Sequence, residues 1–311
     1  MTDSLHTTEV RSAPRQEVEA GEYPVTPIIV VGMNRSGTKW LSNILCNHSQ
    51  IAGVQSERHG GIHETNFFGA IQRFVGDISQ VQNYIALVEL WSQTDFCKAA
   101  KLEKECLYQL SPRPTSCLEM FERIMSLVAS REGKRFWLQK TSPIHSGVLR
   151  QLKAYHTIVV RRKMVPTLES TVKLYQRRRV RLATVRAMFL YVLQDKLLSR
   201  LCRDHQTIYV KYERLKNNTL EEIERVCRKL GLPFEPDMIR LRFQPNTSFP
   251  SANESRHIFS SSDLFRIRLL YVFLSLIPLP ILKAVRSALG SRRPYLVVRT
   301  YSEIIEKYGL E

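Results

Sequence analysis

Five short runs of apolar, β-prone residues recur along the chain, at 28–31, 51–54, 136–138, 157–160 and 207–210. Most are apolar throughout rather than alternating, the pattern of strands covered on both faces by helices in a parallel sheet. Between them lie segments of helical character at 36–46, 116–129, 165–176, 184–202 and 219–230. Strand and helix alternate, so the expected fold class is α/β, with three layers and a central parallel sheet of about five strands. Thr219 followed by Glu222 predicts a capping-box start for the last of these helices, and Gly231 with Pro233 predicts its stop.

The sheet pattern ends near residue 256. Residues 1–22 are polar and mixed in charge, with neither the apolar stretch of a secretory signal nor a membrane anchor. The expected organisation is a disordered leader at 1–24, one domain at 25–260 and a basic and apolar extension at 261–311, in a cytoplasmic protein. Within the extension, the run 269–282 falls short of the roughly 20 residues of a spanning helix, and Pro278 and Pro280 interrupt it. Flanked by Arg266, Arg268, Lys283 and Arg286, the stretch 266–286 is suited to lie in an anionic bilayer interface as a peripheral attachment. A helical hairpin packed on the domain is the competing account.

Composition adds one strong constraint. The formal charge of +17 over 311 residues means that the surface or its clefts attract anions: nucleotides, nucleic acid, acidic glycans or lipid headgroups. Part of it is concentrated at 161–181, with eight basic residues and one acidic. Read as a solvated helix end this suits the helix dipole; read as a patch it suits an acidic acceptor or lipid headgroups. A basic nucleic-acid-binding protein is one alternative, but no recognition motif or aromatic-basic interleaving accompanies the charge, so no nucleic acid partner is expected. The six cysteines show neither CxxC pairs nor Cys/His grouping, which predicts reduced thiols rather than zinc or disulfides.

The first apolar run leads into Gly32-Met33-Asn34-Arg35-Ser36-Gly37-Thr38-Lys39-Trp40, a strand, a glycine-containing turn and a helix start. Such a turn cradles an anion, because glycine lets the backbone wrap closely, N–H groups converge and the helix N-terminus adds partial positive charge. A P-loop kinase or nucleoside triphosphatase, the alternative enzyme, needs GxxxxGK followed by Ser or Thr. Here Thr38 precedes Lys39, and Trp40 offers no magnesium ligand. A dinucleotide-binding GxGxxG is also absent.

At this loop, Arg35-Ser36-Gly37-Thr38-Lys39-Trp40-Leu41 resembles the 5′-phosphosulfate loop of the sulfotransferases that use 3′-phosphoadenosine 5′-phosphosulfate (PAPS), which reads approximately (K/R)-S-G-T-x-W-L. Three further blocks follow in the family's order. Arg162 and Ser170 have the spacing of the pair that holds the 3′-phosphate, although Lys163 and Met164 replace the commoner Asp and Pro, and Arg161 competes with Arg162. Trp137-Leu138-Gln139-Lys140-Thr141-Ser142-Pro143 resembles W-x-x-K-[ST]-P, whose lysine faces the transferred group. Tyr212-Glu213-Arg214-Leu215 and Lys229-Leu230-Gly231-Leu232-Pro233-Phe234 are similar to the family's Y-E-x-L and F-L-G-L-P, read here as packing elements.

The resemblance implies a P-loop-like fold and a sulfotransferase with PAPS as co-substrate and no metal. Its cofactor-binding residues are Arg35, Ser36, Gly37, Thr38, Lys39, Trp40, Arg162 and Ser170. Carbohydrate and tyrosylprotein members use a glutamate after the second strand, and Glu64-Thr65-Asn66-Phe67-Phe68 fits the E-x-x-F-F of many carbohydrate members, making Glu64 the leading general base over Glu57, His59 and His63. Arg35, Lys39 and Lys140 join it as catalytic residues. The acceptor is a hydroxyl or amine of a carbohydrate, lipid-linked or other compound. His59 and His63 are four apart, but Gly60 and Gly61 argue against a helical metal pair, and the sequence offers no third ligand.

Overall fold

The apolar runs become strands of one sheet because each buries both faces. Alternate residues of the first strand enter opposite cores: Ile28 and Val30 pack with Leu41, Ile44, Ile223 and Val226, whereas Ile29 and Val31 pack with Trp91, Phe121 and Ile124. A strand with helices on either side has no polar face to alternate, which is why the sequence reads as continuous hydrophobicity.

The computed structural model describes residues 25–64, 67–68, 75–145, 148, 151–152, 155–202, 207–240 and 258–289. The expected leader at 1–24 and the part of the extension beyond 289 lie outside them. In chain order come β1 (Thr26–Gly32), α1 (Thr38–Leu45), β2 (Ile51–Ala52), β3 (Gln55–Ser56), β4 (Gly61–Ile62), α2 (Val81–Ser92), α3 (Asp95–Ala99), α4 (Lys104–Tyr108) and α5 (Cys117–Arg131). Then follow β5 (Phe136–Thr141), β6 (His156–Arg161), α6 (Met164–Arg177), α7 (Ala183–Leu201), β7 (Thr207–Lys211), α8 (Tyr212–Asn217), α9 (Thr219–Leu230), α10 (Ser261–Leu276) and α11 (Leu279–Leu289).

The main sheet is five-stranded and parallel, in the order β2-β5-β1-β6-β7. The expected α/β class with a five-stranded central sheet is therefore the observed one, each of the five runs supplying a strand. β3 and β4 form a separate antiparallel pair, joined by a 3₁₀ turn at Glu57–His59. With β1 central, the chain leaves its end toward β5 and β2 on one side and β6 and β7 on the other. A crevice outside the carboxyl ends of the strands forms at such a reversal.

The predicted capping box on α9 is not formed. Asn218 occupies the N-cap without a side-chain bond, and Thr219 Oγ1 donates instead to Leu215 O at 2.8 Å. Glu222 is buried, and it pairs with Arg214 Nε at 2.9 Å and Arg225 Nη2 at 2.6 Å. A buried carboxylate gains more from two guanidinium groups than from one backbone N–H. The predicted stop holds: Gly231 closes the helix in the left-handed conformation at φ 70°.

Past residue 260, α10 opens on a capping box in which Ser260 and Asp263 bond reciprocally. α10 and α11 meet at a bend of 105°. Ile267, Leu274, Leu279 and Leu282 pack into a core with Leu168 and Val172 of α6 and Met188, Val192, Leu193 and Leu197 of α7. Lys196 Nζ donates to Ile277 O at 3.0 Å across the same junction. The opposite face carries Phe265, Leu269, Val272, Phe273 and Leu276, all exposed. Among the described residues no single helix is long and apolar enough to cross a membrane, although the bent pair together has the necessary length and composition.

Candidate active site

The turn between β1 and α1 departs from ordinary backbone at two places. Arg35 has φ 69° and Gly37 φ 92°, with Ser36 between them. Alternation of this kind turns successive N–H groups toward one point, a concavity suited to anions. Gly37 is required: a Cβ there meets Tyr212 Cδ2 at 2.4 Å, and its φ is unfavourable for any L side chain. Gly32 is also closed to substitution, because a Cβ there meets Thr38 Cγ2, Ser36 Oγ and the Val160 carbonyl within 2.7 Å.

The turn opens into a cavity of about 480 Å³ at the carboxyl ends of β1, β5 and β6. β1 and its turn contribute Gly32 to Arg35 and Gly37, α1 contributes Thr38, Lys39 and Trp40, and β5 contributes Lys140 and Thr141. Arg162 follows β6, Ser170 and Lys173 face in from α6, Tyr212 begins α8, and Glu64 lies opposite. Nine of the ten predicted site residues therefore converge on one space. The tenth, Ser36, is fully buried behind the wall, and its N–H is spent on Met33 O at 3.1 Å. The turn itself consumes that donor, so the cradle donors that remain are those of 37–39, in the first turn of α1, whose N–H groups have no intrahelical partner. Ser36 Oγ has no partner among the described residues.

The two predicted halves of the site touch. Arg35 Nε donates to Ser170 Oγ at 2.9 Å, and Arg162 Nη1 donates to the Arg35 carbonyl at 3.0 Å. The Arg162 guanidinium lies over the Tyr212 ring, 4.5 Å from its centroid, and Trp40 meets the same ring edge-on at 6.0 Å. Arg161, the competing arginine, points elsewhere, to Asp195 Oδ1 at 3.2 Å and Ser199 Oγ at 2.8 Å on α7. Successive residues leaving a strand project in opposite directions, so only one of the pair reaches the cavity.

Like charges crowd this space. Burial first, then Arg162 and Arg177, lowers the Arg35 guanidinium, and burial with Arg35 lowers the Lys39 ammonium. Burial, followed by the charges of Lys39 and Arg35, pulls Lys140 down to about 8. Lys140 Nζ is in contact with Glu64 Oε1, which works the other way and favours the ammonium form. The lysine side chain is 14% exposed and the glutamate 44%, so the carboxylate has a solvent-facing side as well as a cationic partner. A cluster of five cations facing two carboxylates, with polar atoms such as Arg162 Nε and Trp40 Nε1 unpaired among the described residues, fits a polyanionic ligand.

Four residues at or near the cavity do not stand out as site residues in the sequence. Tyr212 was read as packing, yet it forms a wall and carries Arg162. Lys173 lies three residues after Ser170 on α6, a helical spacing that could have flagged it. Gln194, a polar residue on the buried stripe of α7, accepts from Asn34 N–H at 3.1 Å and so fixes the β1–α1 turn from behind. Asp95, from α3, brings a carboxylate oxygen within 4.8 Å of ring nitrogens of His59 and His63, a third group that sequence spacing did not reveal.

Fold and cavity together define a class: an α/β protein whose β1–α1 turn opens into a cationic cleft at the strand ends. The profile of the sulfotransferase family matches residues 27–236, about two-thirds of the chain and every strand of the main sheet. The chain belongs to the sulfotransferase family. Among solved structures it is similar to the sulfotransferase domain of the Synechococcus PCC 7002 olefin synthase, at 16% identity and TM-score 0.49, covering 82% of this chain and 96% of that one. The sulfotransferase domain from the curacin biosynthetic pathway aligns at 13% identity and TM-score 0.49, over 92% and 99% of the two chains. A sulfotransferase from Mycobacterium tuberculosis H37Rv aligns at 12% identity and TM-score 0.49, over 80% and 77%. No curated protein matches the chain.

Proposed function

We propose that this sulfotransferase takes its sulfuryl group from PAPS and transfers it to a hydroxyl or amine acceptor. The observation that carries the proposal is the meeting of the two anion-binding clusters in one cleft, where Arg35 bonds to Ser170 across 135 residues of sequence. PAPS has a phosphosulfate at one end and a 3′-phosphate at the other, and a single cleft with cations at both ends suits it. The donors of 37–39, with Lys39 and Lys140, would hold the phosphosulfate; Arg162 and Ser170 would hold the 3′-phosphate, with Arg35 between.

PAPS supplies the electrophilic sulfur, and in-line displacement joins the acceptor atom to it as the bond to the phosphate oxygen breaks. The protein's tasks are then positioning, charge stabilisation and removal of one proton. Glu64 is the proposed base: it lines the cavity, whereas Glu57, His59 and His63 do not. Lys140, touching Glu64, orients that carboxylate and is placed to support charge growing on the leaving phosphate. The proton passes from the acceptor to Glu64, and adenosine 3′,5′-bisphosphate leaves.

The reading is tested by transfer of radiolabelled sulfate from PAPS to a panel of hydroxyl and amine acceptors. Wild-type protein should label an acceptor, and Glu64→Gln should lower turnover by about 10²–10⁴-fold while keeping nucleotide affinity. An inert wild type would overturn the transfer reaction; a fully active Glu64→Gln would remove the residue from the base role.

The carbohydrate or lipid-linked nature of the acceptor belongs to the same proposal, as does the site of work. We read 25–260 as the catalytic domain and α10–α11 as its attachment to an anionic membrane surface. What supports this is one face of α10 packed on the domain, with Phe273 at 66% and Leu276 at 76% exposure on the other, beside Arg266 and Arg268. The six cysteines are free thiols, which suits a reducing, cytoplasmic location.

A further inference from the structure

Next to the cleft, and separate from its lining, three side chains from the β3–β4 hairpin and α3 converge. His59 ends the 3₁₀ turn, His63 follows β4 and Asp95 opens α3; each offers a ligand atom within 4.8 Å of the others. The two imidazole centroids are 3.9 Å apart. Gly60 at φ 60° and Gly61 at φ 105° turn the chain so that residues four apart share one side without a helix.

The scaffold beneath is held on several sides. Lys39 Nζ contacts the His59 carbonyl; Asn43 donates to Gly60 O at 3.1 Å and accepts from Ile62 N–H at 2.8 Å. His63 N–H donates to Val54 O at 2.8 Å. A Cβ on Gly61 would meet the Asn43 amide within 2.5 Å, so the close approach of loop and helix is specific to glycine.

The outer ring atoms are already committed. His59 Nδ1 bonds with Ser56 Oγ at 2.9 Å and His63 Nδ1 with the Glu64 carbonyl at 2.7 Å. A hydrogen bond at one ring nitrogen fixes the other as the donor atom for a metal. His63 is only 6% exposed, and its buried Nε2 has no partner among the described residues. An orphaned ring nitrogen in the interior is costly unless something occupies the position facing it. Asp95 Oδ2 accepts from the exposed Arg58 Nη1 at 2.9 Å, leaving Oδ1 as the carboxylate's other ligand atom.

We propose that His59, His63 and Asp95 bind a borderline transition-metal dication of the Zn²⁺ class, with solvent completing its shell. Two imidazoles and one carboxylate are a donor set for such an ion. Bonds of about 2.0–2.2 Å require the three ligand atoms to draw somewhat closer, a movement that the partly exposed His59 and Asp95 side chains can make against a buried His63. The ion would join the β3–β4 hairpin to α3 and, through His59 and Lys39, steady one side of the cleft. The site stands independently of the donor and acceptor proposed above.

The test is isothermal titration of metal-free protein with ZnCl₂, repeated with CoCl₂ under visible absorption. Wild type should take up one Zn²⁺ and develop ligand-field bands with Co²⁺, whereas His63→Ala and Asp95→Asn should bind at least about tenfold more weakly and lose the bands. Asp95→Asn changes a surface group with little volume change, and thermal unfolding of each metal-free variant verifies that it is folded. A folded wild type that takes up no Zn²⁺, or folded variants that bind as wild type does, would overturn the proposal.

Discussion

At the scale of single residues, the site depends on backbone conformations that side chains cannot advertise. Arg35 at φ 69° is held in the left-handed region by the contacts of its own side chain and carbonyl, with Ser170 and Arg162. Such a conformation costs about 1–3 kcal/mol and persists where the surroundings over-determine it. Gly37 is the more sensitive position, because a methyl group there meets both an unfavourable φ and the Tyr212 ring. Gly37→Ala should displace Tyr212, destabilise the fold by about 1–3 kcal/mol and weaken adenosine 3′,5′-bisphosphate binding at least tenfold. Chemical denaturation and a binding titration on one sample measure both, and a variant unchanged in affinity would show that the turn is not the anion cradle. The sequence motif brought Arg35, Lys39, Lys140 and Arg162 into view because their spacing is local. It left Gln194 and Asp95 unseen, since their partners are 160 and more than 30 residues away and no local pattern records such pairings.

At the scale of elements, the five strands of the main sheet were legible as continuous apolar runs and α1, α5, α6, α7 and α9 as the helical segments between them, whereas α2 is not among those segments. α9 was predicted at Thr219–Leu230 and is found there, yet its capping box was misread. The pattern S/T-x-x-E says nothing about whether the glutamate is buried, and burial of Glu222 between Arg214 and Arg225 decided the outcome. The same limit held at 269–282, where composition left a bilayer segment and a packed hairpin equally open. In the structure the segment is two helices with one face on α7 and another outward. Four largely buried aliphatic side chains, at about 1.5–3 kcal/mol each, suffice to fix the pair to the domain without covering the outer face. Vesicle sedimentation bears on that outer face. The 311-residue chain should pellet with vesicles rich in phosphatidylserine, and replacement of Phe265, Phe273 and Leu276 by Ser should abolish it while leaving the fold intact. Equal pelleting by the triple variant would remove α10 as a membrane surface.

At the scale of the whole molecule, the strand order explains why segments far apart in sequence meet. β1 is central, its neighbours β5 and β6 run parallel to it, and the residues following all three strands face one crevice. Gly32 to Lys39, Lys140 and Arg162 lie at the same end of the sheet because parallel strands in register end together. The alternation of strand and helix predicted a parallel sheet but could not give its order, which is fixed by long-range packing. Part of the positive charge seen in the composition lies at one cavity, where Arg35, Lys39, Lys140, Arg162 and Lys173 meet two carboxylates. Like charges so concentrated repel one another unless an anion offsets them, so an anion with charge at both ends should bind tightly and stabilise the fold.

Isothermal titration with adenosine 3′,5′-bisphosphate measures this directly. Folded wild-type protein should bind one equivalent, and Arg162→Ala should weaken it at least about tenfold, with a smaller loss for adenosine 5′-monophosphate, which lacks the 3′-phosphate. Absence of binding by folded wild type, or equal weakening of both nucleotides, would contradict a cleft that holds one nucleotide by its two ends.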